Sequence, residues 1–249
     1  MRAMANSSPT TTSYSTIYTP SQYKDIANDY RISLRLSSRE EWDTDDENEA
    51  DGATRNPYAA WEWGMAKRGS GDMNGAAETH TLASIAFKEI GDRAHSVIAA
   101  LDAGIDLAGT DNVQEAKKVL ENAIQSTTSV EGRDVELLQR VIAKEGEARM
   151  ALASILWSNN EKAAAEMQFG EACGRLDQLQ ADADAREAAR VKSGAMPPVK
   201  VRKLPFTIDD TAGPELSCSR FKNEKFVRDT LLWPEPLQQK LFSLNNLKK

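Results

Sequence analysis

The chain has 249 residues, 40% of them hydrophobic, with a formal charge of −7 and a pI near 5.1. That content is enough for one folded domain with appended arms, and the acidic balance argues against a general nucleic-acid binder. Nothing approaches eighteen consecutive apolar residues, so no transmembrane segment is expected.

Three zones follow in chain order. Residues 1–55 read as a polar, acidic N-terminal arm. Met1 to Lys24 has no acidic residue and is rich in Ser and Thr, a composition shared by organellar transit-peptide remnants and by disordered termini. The zone reads as solvated linker, with docking as a strand or turn the alternative for a short amphipathic piece around Ile26, Tyr30, Ile32, Leu34 and Leu36. From Glu40 to Asp51 the chain carries a run of carboxylates, whose mutual repulsion favours a solvated linker; a basic partner surface is the alternative.

Residues 56–193 read as helix throughout. Asn56-Pro57 is a start signal, because Asn caps free amides and Pro suits the first helical position. Gly71-Asp72 and Gly91-Asp92 repeat a stop-and-start pattern. Asn112 with Glu115 has the spacing of a capping box. Gly132 and Asp134 open another helix, and Asn159-Asn160 marks a turn. The last helix becomes Ala-rich and charged after Ala181 and is expected to project beyond the core. The reading is all-α: six helices in three antiparallel hairpins, stacked as a short solenoid.

Residues 194–249 carry six prolines, with ten Lys or Arg against six Asp or Glu. This zone reads as an extended, basic, aromatic C-terminal arm. Phe221, Phe226, Trp233 and Phe242 are its candidate partner-binding anchors, with Trp233 foremost. A short helix from Glu235 or Pro236 to about Asn245 would place Leu237, Leu241 and Leu244 on one face.

Small residues recur at a fixed spacing: Gly64, Ala76, Ala83; Gly104, Ala116, Ala123; and Ala153, Ala165, Ala172. Such positions let two helices approach closely. With Trp63 beside Gly64, Leu107 and Leu120 in the second unit, and Leu152, Leu156, Asn160 and Phe169 in the third, the middle zone resembles the tetratricopeptide-repeat family. The second members of the triplets stand 40 and then 49 residues apart, against about 34 in that family. The Pro that follows the second helix there is absent. The resemblance therefore implies an irregular array with longer helices. It also implies a protein-binding scaffold whose groove would include Arg149, Asn112, Lys117 and Asn122. An ordinary Ala-rich helical bundle is the alternative and has the same fold class.

The chain shows no phosphate-binding glycine loop, nucleophile elbow, His-Glu-x-x-His or Cys-x-x-Cys motif. His80 and His95 lie in expected helices, either as packed or surface residues or as ligands to a metal or pigment. No carboxylate reads as isolated in an apolar setting. Cys173 and Cys218 are far apart and do not suggest a disulfide, which fits a reducing compartment. The expectation is a non-catalytic interaction scaffold or assembly factor without a cofactor, acting on other proteins. One alternative is a peripheral linker subunit of an organellar membrane complex, in a plastid more than a mitochondrion, or else a cytoplasmic protein. The other is a helical small-molecule-binding protein or enzyme.

Overall fold

The computed structural model of the chain describes residues 18–38, 55–131, 134–195 and 216–246. Its regular structure there is entirely helical, as expected. The helices are α1 (Pro20–Ser38), α2 (Pro57–Ser70), α3 (Met73–Glu89), α4 (Arg93–Leu107), α5 (Val113–Thr127), α6 (Val135–Ser158), α7 (Lys162–Lys192) and α8 (Glu235–Asn246). A 3-10 turn (Cys218–Lys222) and a π-turn (Phe226–Thr230) lie between α7 and α8.

Local chemistry accounts for the boundaries. Asn56 accepts a hydrogen bond from the Ala59 amide at 3.1 Å, and Pro57 opens α2. Asp72, Asp92 and Asp134 do the same for Gly75, His95 and Leu137 at 3.0, 3.1 and 3.0 Å. Each such cap is worth about 1 kcal/mol. Gly71 ends α2 at φ 90°, a left-handed conformation that glycine takes without steric cost. The expected capping box does not form: the Asn112 side chain caps nothing, and its amide instead donates to Thr110 Oγ1 at 3.1 Å.

Consecutive helices pair, α2 with α3, α4 with α5, and α6 with α7, while α3 on α4, α5 on α6 and α4 on α6 join the pairs. All nine small residues of the recurring triplets are buried at these contacts. A Cβ added at Gly64 would lie 2.4 Å from His80 Cδ2, and one at Gly104 would lie 2.7 Å from Leu120 Cδ2. The close approach thus depends on the missing side chains. Beyond Leu179 no residue of α7 is buried.

Two expectations about the arms need correction. The amphipathic piece near Tyr30 is helix α1, neither linker, strand nor turn, because Tyr23, Ala27 and Tyr30 share one helical face. Tyr23 settles over Gly69, where a Cβ would stand 2.5 Å from its ring, and Tyr30 donates to Glu62 at 2.5 Å. The acidic run and the first seventeen residues lie outside the described residues.

Residues 216–246 are not an extended arm. They fold back on the hairpins as a strap. The Leu216 amide donates to Gln180 and the Cys218 amide to Asp177, which brings Cys218 beside Cys173; the two are joined as a disulfide. The expectation of two separate thiols fails because the return of the chain along α7 brings together residues 45 positions apart. Further on, Phe221 and Trp233 are each 2% exposed, and Leu237, Leu241 and Leu244 are fully buried on α8, which rests on α6. Phe226 and Phe242 pack at the edge of the same apolar cluster. The four expected anchors therefore serve the chain's own core. Burying each large apolar side chain contributes about 1.5–3 kcal/mol, enough to hold the strap despite its prolines.

Candidate functional site

The most unusual chemistry in the molecule is a sealed ionic network where α2, α3, α4 and α6 meet. Helix α4 is apolar from Val97 to Leu107 apart from Asp102 and Asp106, one turn apart, so both carboxylates enter the core on one face. Arg68 from α2 reaches both. Its Nη2 donates to Asp102 Oδ1 at 2.9 Å and to the Asp102 carbonyl at 3.0 Å, and its Nε donates to Asp106 Oδ1 at 2.5 Å.

From α3, His80 Nδ1 stands 2.6 Å from Asp106 Oδ2, its ring against the bare backbone of Gly64. From α6, Lys144 Nζ donates to Asp102 Oδ1 at 3.1 Å and to Glu147 Oε2 at 2.7 Å. Two indoles close the ends: Trp61 Nε1 donates to Asp102 Oδ2 at 2.9 Å, and Trp233 of the strap to Glu147 Oε1 at 2.7 Å. None of the charged side chains is more than 3% exposed.

Burial pushes the Asp102 carboxyl upward, but Lys144 and Arg68 outweigh it and hold the group well below the usual carboxylate range. Burial likewise opposes the Arg68 charge, and Asp106 and Asp102 more than restore it. Taking these ions out of water costs several kcal/mol each, which their mutual attraction repays only while every partner is present. The network is therefore weak evidence for extra stability and strong evidence for register. Shifting α2 by one turn against α4 would strand Arg68 beside apolar carbon. Closed to solvent, it ties α2, α3, α4 and α6 together through their side chains.

The expectation that no carboxylate sits in an apolar setting is corrected by Asp102 and Asp106. Their signal was present as two acids four apart in an otherwise apolar helix. The cations that meet them are 34 to 42 residues away in sequence, beyond any local pattern.

The expected groove residues do not converge. Arg149 is engaged by Glu145 and Gln168 between α6 and α7, Lys117 pairs with Glu161 at 2.7 Å, and Asn112, just before α5, and Asn122 on α5 are exposed. His80 is fully buried, and His95 is bonded to Asp92 at 2.8 Å.

The strap lies directly over this network. Pro234 sits above Gly109 at the end of α4, where a Cβ would be 2.3 Å from the proline Cβ, and the Phe221 and Trp233 rings are 5.7 Å apart. Just before Trp233, Leu232 has φ 54°, a left-handed conformation that costs a leucine on the order of 1–3 kcal/mol.

Elsewhere, an open groove of about 330 Å³ between α6 and α7 is lined by Ile142, Gly170, Glu171, Gly174, Arg175 and Leu179, among others. Among the described residues no helix is long and apolar enough to cross a membrane, and no group of three His, Cys, Asp or Glu side chains is arranged to hold a metal ion. No family model, curated protein or solved structure matches the chain.

Proposed function

We propose that this chain is a non-catalytic protein-binding scaffold or assembly factor, a tetratricopeptide-like hairpin array that holds helical segments of other proteins. One observation carries the reading: the array already holds two such segments of its own. Helix α1 lies on α2 with Tyr23 over Gly69, and the strap lies across α6 and α7 with Pro234 over Gly109, just past the end of α4. In both, a glycine makes a shallow seat for a ring, and leucines or aromatics at helical spacing supply the apolar contact. This is the helix-in-groove mode of recognition. The sealed network supports the reading by keeping the seats in register and offering no solvent-facing reactive group.

The test is purification of the tagged full-length protein from its native cell, followed by cross-linking and mass spectrometry. A stoichiometric complex that survives high salt, with cross-links on the array, is the expected result. A monodisperse monomer without a stoichiometric partner would overturn the proposal.

A further inference from the structure

We infer that the Cys173–Cys218 disulfide is a redox clasp that sets how often the strap leaves the face of α6. Four observations on separate residues support this. The bridge is partly exposed, so a small dithiol can reach it. It joins α7 to the first turn of the strap, beside the hydrogen bonds from the Leu216 amide to Gln180 and from the Cys218 amide to Asp177. The strap carries the π-turn Phe226–Thr230 and the left-handed Leu232, the second of which costs energy to hold. Finally, the strap meets the buried network through the Trp233 indole on Glu147, and Glu147 makes no direct bond to Arg68, whose pairs are with Asp102 and Asp106.

The chemical step is thiol–disulfide exchange with a dithiol. One thiolate of the reductant attacks a sulfur of the bridge and forms a mixed disulfide, and the other cysteine leaves as a thiolate that takes up a proton. The second thiol of the reductant then displaces the remaining cysteine. The protein ends as two thiols, and the reductant as a cyclic disulfide.

With the bridge intact, an opened strap stays pinned at Cys218. Without it, the strap opens over its whole length. Because α7 remains helical in either state, less than the full 45-residue loop gains freedom, and loop-closure entropy then raises the opening constant by roughly a hundred-fold. Opening uncovers the seat at Gly109 and the apolar face of α6. That another helix then occupies this face rests on the scaffold reading; the opening itself does not.

Hydrogen–deuterium exchange on the full-length protein, before and after dithiothreitol, tests the clasp. Peptides within 219–246 should exchange about a hundred-fold faster after reduction, with α2 to α5 unchanged. Cys218→Ser should reproduce the reduced pattern and no longer respond to dithiothreitol. If that variant does not fold, the reduced wild-type chain still carries the test. Unchanged exchange in the strap would overturn the clasp, and so would an equal acceleration in every helix, which would make the bridge a global staple. Neither readout involves a partner, so their failure leaves the scaffold proposal standing, and failure to find a partner leaves the clasp standing.

Discussion

Replacing Lys144 with Met tests whether the buried network is coupled as its geometry implies. Methionine keeps the length and apolar body of the side chain and removes only the ammonium. Lys144 is 1% exposed and bridges Asp102 and Glu147. After its loss Asp102 keeps Arg68, but Glu147 is left buried with the Trp233 indole as its remaining bonded partner among those described above. Stranding a buried charge in this way costs about 3–5 kcal/mol. In a chain of this size each kcal/mol shifts the melting temperature by about 2–4 °C, so the midpoint should fall by roughly 6–20 °C. Adding Glu147→Gln removes the stranded charge while keeping an acceptor for Trp233. The double variant should therefore be more stable than Lys144→Met alone, with a coupling energy of about 0.5–3 kcal/mol. Thermal melts of the four proteins in the cycle, followed by circular dichroism, measure this. A Lys144→Met midpoint within a degree or two of the parent, or strictly additive losses, would refute the sealed network.

Gly64→Ala should cost about 1–3 kcal/mol, because its methyl meets the buried His80 ring that holds Asp106. Gly170→Ala, with nothing within 4 Å of the new methyl, should instead stabilise α7 by about 0.5–1 kcal/mol; the opposite signs appear in one set of melts. Ending the chain at Ala195 removes Trp233 and the three buried leucines of α8, so the product should melt at a lower temperature, keep a cooperative transition, and bind a hydrophobic dye where the strap lay. A broad, non-cooperative melt would show that the strap is part of the core and cannot lift from it. Asp102 has its carboxyl held below the unfolded value of 3.8. Its contribution is complete above that value and is lost as pH falls through the folded one. Denaturant titrations should therefore show the parent losing stability below about pH 4 with a steeper slope than Asp102→Asn, and equal slopes would count against the pairing.

The signals legible in the residues alone are local. Asn56-Pro57, Asp72, Asp92 and Asp134 each act on amides three residues away, so the starts of α2, α3, α4 and α6 were readable as caps. Leu237, Leu241 and Leu244 share a face by helical geometry alone, and α8 forms with all three buried. The fold class follows from signals of this kind. Function-bearing features depend instead on which distant segments meet. Nothing near Trp233 says that its pocket belongs to its own chain, and nothing near Cys173 names Cys218. Six prolines suggested an extended arm because proline forbids long helices, yet short turns between them pack just as well once apolar side chains find a surface. Asp102 and Asp106 announce that something cationic must come to α4, since an unpaired buried carboxylate is too costly to keep. Only the tertiary structure decides that Arg68 and Lys144 supply it, because that choice is made by helix packing across dozens of residues.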